Sequence, residues 1–390
     1  MPMAKKHTAH EFDTIIIGGG LSGLLFAAKF LNSSKKVALI DAGEDLGGHS
    51  KSFTTEFGDV DCELKFLPAT STAEAAVRWL EGCLEESIGA HLSELGPQSF
   101  DAGKLKPFLG FGDNAAMSCH EVNYYANPNF FTFEKTPKDW VQILKNKISD
   151  HKNIEIMSKA EVTSLICQDH RVTGLIINAH QTLTADDFIW AAPVHTLASM
   201  LNEDNLPLRQ KQKLAKTAFF ASIHLDLIFS KKVSELNEML ILQGANEEPL
   251  VGRFSDLSDA KQLSQWICLI PNQEADNEEQ VASILKYMKR QITRVYEGIM
   301  DFKIYERISL NNNTHGKLSL DRDDSKFGKL INLWVTQASL SRSGNLLGCL
   351  EESEKAWNNF AAAQTQSGAD DLDHKQPNAS DTIIESQISL

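Results

Sequence analysis

The chain has 390 residues, 42% hydrophobic and 23% charged, which is enough for about two to three domains with substantial cores. Its formal net charge of −14 argues against a nucleic-acid-binding protein, because such proteins usually present a basic patch. The sequence has no run of about 18 uncharged apolar residues and no apolar signal segment before its first strand, so we expect a cytoplasmic protein without a transmembrane segment.

The cysteines are scattered along the chain without a C-x-x-C pair. In a reducing compartment this pattern favours free thiols over disulfides, and it offers no cluster for a metal ion. We therefore expect no metal site. The cysteines are Cys62, Cys83, Cys119, Cys167, Cys268 and Cys349.

The most specific pattern lies near the start of the chain, at Gly18, Gly20 and Gly23. These glycines have the G-x-G-x-x-G spacing, follow a predicted strand at residues 15–17 and open a predicted helix. In such a turn the first glycine allows the sharp exit from the strand, the second lets the backbone approach a pyrophosphate, and the third lets the helix pack against the strand. The pattern predicts a dinucleotide-binding turn.

The residues that follow complete this pattern. The N–H groups at the helix start, at Leu21 and Ser22, are expected to face the phosphates. A second predicted strand, residues 37–41, ends in Asp41, at the distance of about 20 residues where a carboxylate holds a ribose 2′-hydroxyl. A glycine turn without a ligand is the alternative, but strand, glycines, helix, strand and acid in register favour a binding site.

A second glycine pair, Gly47-Gly48, follows shortly after, with His49 and Ser50 behind it. It has no place in the usual nicotinamide pattern but resembles the second glycine pair of the FAD-dependent amine oxidase superfamily, which includes monoamine oxidases, protoporphyrinogen oxidases and carotenoid desaturases. The resemblance implies FAD as the cofactor. Many relatives have an arginine where this chain has His49, and UDP-galactopyranose mutases, whose flavin reaction has no net redox change, also tend to lack it.

Residues 57–66 predict a pair of short strands that lead out of the cofactor domain. Relatives usually carry an acid followed by a glycine here, whereas this chain has Asp61-Cys62-Glu63. Apolar residues at helical spacing follow over residues 72–93. Residues 94–138 are rich in aromatic side chains, which could line an apolar substrate pocket or form ordinary core. These aromatic residues include Tyr124, Tyr125, Phe130, Phe131 and Phe133.

The middle of the chain predicts a helix and then a set of strands. The helix covers residues 140–148, and the strands cover residues 154–157, 161–166, 171–177 and the run 185–193. This segment resembles the second cofactor segment of the superfamily. The resemblance places the backbone of Val162 against the adenine, and the step Ala191-Ala192-Pro193 returns the chain to the substrate domain. A plain β-meander that ends in a proline turn is the alternative.

The next part of the chain predicts a second sheet. Alternation over residues 219–229 predicts a half-buried strand, with further strands at 265–270 and 302–308 and a long amphipathic helix at 278–299. His224 could accept a proton from a substrate, since the unperturbed pKa of histidine is about 6.5. A lone histidine on a strand is more often a solvated or satisfied core residue.

A third cofactor segment closes the chain, with a predicted strand at residues 331–336 and a predicted helix at 348–357. It resembles the closing pattern of the superfamily, in which a Gly-Ala pair precedes a helix that touches the flavin ring. In that comparison Gly348 and Cys349 take the Gly-Ala position, and Leu350 begins the helix whose N–H groups would stabilise negative charge on reduced flavin. Gln337 replaces the usual acid. The covalent cysteine of monoamine oxidases precedes this motif, so the resemblance implies noncovalent FAD.

These patterns predict an α/β fold with a Rossmann-like FAD-binding domain and an inserted α+β substrate domain. The acidic end of the chain is poor in aromatic residues, so we expect it to form a disordered tail. The predicted boundaries are 11–60, 150–200 and 328–365 for the FAD-binding domain, 61–149 and 201–327 for the substrate domain, and 366–390 for the tail.

The resemblance implies an FAD-dependent oxidase or dehydrogenase that acts on a C–N or C–C bond of a small, largely apolar organic substrate. A non-redox, mutase-like enzyme and a flavin-binding protein without turnover are the alternatives. The sequence identifies neither the catalytic side chains nor the oligomeric state. The residues expected to bind FAD are Gly18, Gly20, Leu21, Ser22, Gly23, Asp41, Ala42, Gly47, Gly48, His49, Val162, Ala192, Gln337, Gly348 and Leu350.

Overall fold

The computed structural model describes residues 10–111, 122, 129–217, 219–235, 239–244, 247–258, 260–316, 326–341 and 345–373. Side chains are described in these ranges except at residues 10, 313–315 and 367–373. Tyr124 and Tyr125, which belong to the predicted aromatic cluster, lie outside the described residues.

The described α-helices are α1 (Leu21–Ala28), α2 (Ser71–Leu84), α3 (Pro137–Ser149), α4 (Val194–Met200), α5 (Leu208–Ala215), α6 (Glu278–Val295) and α7 (Asn345–Asp373). The described strands are β1 (His10–Ile17), β2 (Val37–Ile40), β3 (Ser52–Thr55), β4 (Gly58–Asp61), β5 (Leu67–Pro68), β6 (Ala90–Leu92), β7 (Gln98–Asp101), β8 (Lys104–Pro107), β9 (Phe130–Phe133), β10 (Ile154–Met157), β11 (Val162–Gln168), β12 (Arg171–Ile177), β13 (Gln181–Trp190), β14 (Phe220–Phe229), β15 (Met239–Leu242), β16 (Leu250–Asp256), β17 (Gln262–Pro271), β18 (Lys303–His315) and β19 (Leu333–Val335). No helix in the described part of the chain combines the length and hydropathy that a bilayer crossing requires.

The first sheet has the order β10-β2-β1-β13-β12-β11, and β19 pairs with the end of β13. Its central strands are parallel, since Ile16 pairs with Leu39 on one side and with Ile189 on the other. Strands β11, β12 and β13 form an antiparallel meander. The sheet draws its strands from three separated stretches of chain. The predicted α/β class with a Rossmann-like domain is confirmed.

Both faces of the first sheet are covered. One face packs against α1, α2, α3 and α7 through side chains such as Ile16 and Leu39. The other face packs against α4 and α5 through side chains such as Ile15 and Ile40. Parallel strands that are buried on both faces have continuous apolar sequences, which is why the pattern of residues 15–17 predicts its strand correctly.

The second sheet has the order β18-β14-β17-β16-β15-β7-β8. Helix α6 covers one face, where Met288 packs with Leu225, and a cluster that includes Phe66 and Ile267 covers the other. Strand β14 is buried along its whole length. The prediction of a half-buried strand here is therefore wrong, because chain from outside the sheet covers both faces.

Several boundaries differ from the predicted ones. The predicted strand pair at residues 57–66 is a hairpin of β3 and β4, and residues 62–66 lie in neither a strand nor a helix. The helix predicted over residues 72–93 ends at Leu84, because Glu85 adopts a left-handed conformation with a φ of 55°. Periodicity alone does not locate this stop, since the residue that ends the helix is not a glycine.

The last helix also differs. Helix α7 begins at Asn345, so the prediction that Leu350 begins it is wrong. The helix continues to Asp373, beyond residue 366, where the sequence predicts the disordered tail to start. Each residue added to an existing helix gains a hydrogen bond, so a polar segment extends a helix that aromatic residues such as Trp357 already anchor to Phe26. Residues 374–390 lie outside the described residues.

Candidate functional site

A cavity of about 540 Å³ lies at the carboxyl ends of the parallel strands β1, β2 and β13. These strands contribute Ile17, Ile40 and Trp190 to its wall, and the second sheet contributes Ile267 and Asn312. Ligands of open α/β sheets bind outside the carboxyl ends of the strands. The cavity therefore connects the predicted dinucleotide turn with the second sheet.

The glycines of the turn serve different needs. Gly18 has a φ of +104°, and a Cβ there would lie 2.8 Å from the carbonyl carbon of Ala191. A Cβ at Gly23 would lie 1.8 Å from the carbonyl oxygen of Gly18, so the helix packs against the strand as predicted. A Cβ at Gly20 would meet no protein atom within 4 Å, and Gly20 lines the cavity. Packing explains Gly18 and Gly23, whereas no contact with protein atoms explains Gly20.

Helix α1 begins with backbone donors beside the cavity. Its N-cap, Gly20, supplies no side-chain cap, and the first intrahelical bond runs from the Leu24 N–H to the Gly20 carbonyl at 3.0 Å. The N–H groups of Leu21 and Ser22 therefore lack intrahelical acceptors, and both residues line the cavity. Together with the positive end of the helix dipole, these donors suit an anionic group such as a pyrophosphate.

Asp41 follows strand β2 directly, as predicted. Its Oδ2 accepts a hydrogen bond from the Gly19 N–H at 2.6 Å, and its Oδ1 accepts one from the Gly43 N–H at 2.7 Å. These bonds fix the carboxylate in the cavity wall, where Ala42 lies next to it. Each oxygen keeps a second lone pair, so the carboxylate can still accept a hydrogen bond from a ribose hydroxyl.

The second glycine pair lies against the first turn. The Gly47 N–H donates to the Gly19 carbonyl at 2.7 Å, and Gly47 also forms a bridge with Gly20. Gly47 and Gly48 have φ angles of +121° and +53°, which glycine adopts without strain. Gly48 and His49 line the cavity, and Gly47 supports them from outside it.

The second and third cofactor segments reach the same cavity. Val162 and Ala192 lie in its wall, at the start of β11 and just after β13. Gln337 also lines it, and its Oε1 accepts hydrogen bonds from the Val194 N–H at 3.1 Å and from the Ser339 hydroxyl at 2.9 Å. Gln337 thus ties the chain after β19 to the start of α4.

The start of α7 contributes Asn345, Leu346 and Cys349 to the wall. The Cys349 thiol lies 3.0 Å from the Ser22 hydroxyl, and burial raises the pKa of this thiol. Leu350 is fully buried in the core instead, because the helix begins before it. The wall at this point therefore comes from the first turn of α7 and from Cys349.

The predicted cofactor residues thus divide into two groups. Gly348 lies away from the cavity, and a Cβ there would come within 2.9 Å of the Ala338 carbonyl oxygen, so packing explains this glycine. Those that line the cavity are Gly18, Gly20, Leu21, Ser22, Asp41, Ala42, Gly48, His49, Val162, Ala192 and Gln337. Those that do not line it are Gly23, Gly47, Gly348 and Leu350.

Residues 61–66, called the wall segment below, contribute Glu63, Leu64, Lys65 and Phe66 to another part of the cavity wall. Glu63 lies in this segment, and its Oε1 accepts a hydrogen bond from the Asn311 amide at 2.7 Å and lies 2.8 Å from the His49 Nδ1. Its Oε2 pairs with the Lys65 ammonium. Burial would raise the pKa of Glu63, but Lys65, His49 and His224 outweigh burial and hold this pKa well below its ordinary value. Glu63 is therefore a buried, fully compensated carboxylate.

Side chains of the second sheet hold the backbone of the wall segment. The Gln265 amide donates to the Asp61 carbonyl at 2.9 Å. The Arg307 guanidinium donates to the Cys62 carbonyl at 3.3 Å and to the Asp226 carboxylate at 2.9 Å. These bonds replace the strand pairing that residues 62–66 lack, and they fix where Glu63 and Lys65 meet the cavity.

His224, the candidate proton acceptor, lies behind this segment. It is 1% exposed, does not line the cavity, and its Nε2 lies 2.9 Å from the Ser222 hydroxyl. Burial lowers the pKa of His224 to about 4, although Glu63 opposes the shift from 3.8 Å away. His224 is therefore neutral near pH 7, and the structure favours its interpretation as a satisfied core residue.

The sequence patterns mark Asp61-Cys62-Glu63 as unusual but do not identify Glu63 and Lys65 as site residues. The partners of Glu63 come from the loop that contains His49 and from β18, which holds Asn311. No spacing rule connects residues so far apart in the chain. The available signal is the pair of opposite charges, Glu63 and Lys65, set among apolar residues that lead into β5.

Known proteins match parts of this sequence. The NAD(P)-binding Rossmann-like domain family matches residues 16–81. Polyamine oxidase 4 of Oryza sativa subsp. japonica is 27% identical over 127 residues, which make up 32% of this chain and 22% of that protein. (S)-6-hydroxynicotine oxidase of Paenarthrobacter nicotinovorans is 49% identical over 41 residues, 10% of each chain. The chain thus spans less than a quarter of the length of either curated relative.

Solved structures match nearly the whole chain. An oxidoreductase from Methanosarcina mazei superposes with a TM-score of 0.67 at 12% identity, over 89% of this chain and 100% of that one. Wild-type putrescine oxidase bound to putrescine superposes with a TM-score of 0.64 at 11% identity, over 90% of this chain and 100% of that one. The predicted resemblance to the FAD-dependent amine oxidase superfamily is confirmed. At these identities the structural similarity establishes an amine oxidase-like fold.

Proposed function

We propose that this protein is an FAD-dependent oxidoreductase, an oxidase or a dehydrogenase, that acts on a C–N or C–C bond of a small, largely apolar organic substrate. The observation that carries the proposal is the continuity of the cavity. It runs from Gly20 to Ile267 of the second sheet. No contact with protein atoms requires a glycine at position 20. One cavity thus joins a dinucleotide site to a second wall where a substrate would lie.

The residues present fit an FAD. The N–H groups of Leu21 and Ser22 at the start of α1 would face the pyrophosphate, and Gly20 leaves room for it. The Asp41 carboxylate would accept a hydrogen bond from the ribose, and Val162 would lie against the adenine. When bound, FAD supplies a ring that accepts electrons from the substrate, and the chain orients the substrate against it.

The second wall suits an apolar substrate body. Leu64, Phe66 and Ile267 line the cavity there, and Phe66 packs edge-on against Phe130 with ring centroids 5.9 Å apart. Such a wall orients an apolar molecule and excludes water from the reacting bond. It gives a role to one member of the predicted aromatic cluster, because Phe130 supports the cavity wall from behind.

The first test concerns the cofactor. Purified protein should be yellow and should release FAD, identified by chromatography, on heating. The protein should also retain FAD through gel filtration in denaturant-free buffer and lose it in denaturant, since the proposal is a noncovalent complex. Colourless protein that cannot be reconstituted with FAD would refute the proposal.

The second test concerns the reaction. A panel of amines, tetrapyrroles and polyenes should include a compound that bleaches the oxidised flavin spectrum without oxygen, and admitted oxygen or another acceptor should restore it. A mutase-like enzyme would need prior reduction and would leave the redox state unchanged over a cycle. A flavin-binding protein without turnover would show neither response. Either of these last results would replace the proposed oxidoreductase.

A further inference from the structure

Lys65 lies in the cavity wall with most of its side chain buried. The side chain is 16% exposed, and its ammonium pairs with the Glu63 carboxylate. It is the one lysine or arginine among the described residues that line the cavity. Within the described lining, Lys65 is therefore the side chain that brings ammonium N–H donors to a bound molecule at the wall segment.

The hydrogen-bonding capacity of Lys65 exceeds what its described neighbours use. A lysine ammonium has three N–H donors. Within the described residues its hydrogen-bond acceptor is Glu63, which takes one of these donors. A buried donor without an acceptor is costly, so the remaining N–H groups favour an acceptor inside the cavity.

The neighbouring carboxylate does not offer a matching site for a cation. Glu63 already interacts with Lys65, His49 and Asn311. A second positive charge placed here would meet the Lys65 ammonium at close range and find no uncompensated carboxylate on Glu63. The unused hydrogen-bonding capacity of the wall segment is therefore that of a donor, which suits an anionic oxygen better than a protonated amine, although putrescine oxidase, which has the same fold, has been solved with the diamine putrescine bound.

We propose that the substrate carries a carboxylate that accepts hydrogen bonds from Lys65 while its apolar body rests on Leu64, Phe66 and Ile267. This inference rests on the proposed function, because it assigns the substrate class of the same cavity. Every such substrate would combine one anionic oxygen group with a small apolar body. A protonated amine would not match the N–H donors of Lys65, so we do not expect polycationic amines to be substrates.

A competing acceptor for Lys65 is an oxygen atom of the bound cofactor. In that case Lys65 would contribute to FAD affinity and would not select the substrate. A Lys65 variant would lose FAD if the acceptor is the cofactor, and it would lose the carboxylate ligand if the acceptor is the substrate. The experiment therefore measures the binding of both ligands.

The test uses full-length, FAD-loaded protein and three probes of nearly equal size: sodium benzoate, benzyl alcohol and benzylamine. Their dissociation constants are measured by calorimetry and by perturbation of the flavin spectrum. Benzoate should bind at least about tenfold more tightly than the other two, which is the scale of one charged hydrogen bond. Benzylamine that binds as tightly as benzoate would overturn the proposal.

Variants then locate the effect. Lys65→Met and Lys65→Gln should each weaken benzoate by about tenfold or more and leave benzyl alcohol nearly unchanged. Glu63→Gln should have the opposite effect and tighten benzoate, because it removes the carboxylate that competes for Lys65. Lys106→Met removes an ion-paired surface lysine, 49% exposed, and should change nothing.

Two further outcomes would separate the carboxylate proposal from the proposed redox function. If Lys65→Met loses FAD but keeps benzoate affinity in calorimetry, the acceptor is the cofactor and the proposal fails. If benzoate binds through Lys65 but no compound ever bleaches the flavin, the anion site stands and the proposed redox function fails. Melting temperatures of the variants check that each one is folded before its affinities are compared.

Discussion

The dinucleotide turn and the wall segment face the same cavity, yet they are built in different ways. The turn consists of backbone: Gly23 is required by the nearby Gly18 carbonyl oxygen, and Gly18 by its φ of +104° and by the backbone of Ala191. The wall segment consists of side chains, with Glu63 held by partners that include Asn311, which is 248 residues distant in the chain. The turn depends mainly on backbone geometry, and the wall segment depends on side chains that the assembled fold brings together.

This difference explains how each part responds to change. A backbone site depends on steric room, so an added side chain either fits or prevents binding. A side-chain cluster depends on charge compensation, so removal of one member leaves the others buried without a partner. We therefore expect large, all-or-none effects in the turn and smaller, pH-dependent effects around the wall segment.

The largest effect is expected for Gly23→Ala. Its Cβ would lie 1.8 Å from the Gly18 carbonyl oxygen, which is backbone and cannot move aside. We expect a loss of at least about 3 kcal/mol of unfolding free energy, the upper part of the range for overpacking. Urea denaturation of the cofactor-free protein measures this. Gly20→Ala is the control, because its Cβ meets no protein atom within 4 Å and should leave stability nearly unchanged.

Gly20→Val should separate binding from folding. The valine side chain would enter the cavity beside the uncapped start of α1, so FAD content should fall below detection while the cofactor-free protein melts like the wild type. Gly82→Val provides the matched control, since Gly82 also has open space around it but does not line the cavity. Bound FAD retained by Gly20→Val would contradict the assignment of Gly20 to the pyrophosphate.

Arg307→Met tests the support of the wall segment. It removes the bonds to the Cys62 carbonyl and the Asp226 carboxylate and leaves Asp226 buried without its cation. We expect a loss of about 3 kcal/mol of unfolding free energy. Arg290→Met breaks the exposed pair with Glu247 and should cost less than about 1 kcal/mol. Equal losses in the two variants would show that the Arg307 pair is not a buried support.

The smallest effect is expected for His224, and its size depends on pH. A histidine in the unfolded chain has a pKa of about 6.5, whereas burial lowers the pKa of folded His224 to about 4. As the pH falls below about 6.5, the unfolded state binds a proton that the folded state rejects. The stability that neutral His224 contributes is therefore present above about pH 6.5 and is lost as the pH falls toward 4.

The corresponding variant is His224→Gln, compared with wild type by denaturation at several pH values. Relative to this variant, wild type should lose about 2–3 kcal/mol between pH 7 and pH 4. His91→Gln is the control for replacing a histidine at an exposed position. A His224→Gln difference that does not vary with pH would show that His224 takes up a proton without cost in the folded state.

Much of the proposed cofactor half of the site follows from the sequence alone. The glycine spacing, the apolar strand before it and Asp41 after the next strand lie within about 30 residues, and each depends on local steric and hydrogen-bonding rules. The structure places Gly18, Gly20 and Asp41 in one cavity wall for that reason. The same local rules predict the antiparallel meander that begins at Val162, because turns and alternation set its strands.

The rest required the tertiary structure. Helix α7 begins at Asn345, and this start brings Cys349 rather than Leu350 to the cavity. No residue pattern in the sequence predicts that the helix begins there. Strand β14 is buried on both faces because α6 and the wall segment cover it, although its own sequence alternates. Glu63 and Lys65 become a compensated pair in the cavity wall through contacts with distant elements. A sequence encodes local backbone geometry directly, but charge compensation exists only after the chain has brought distant side chains together.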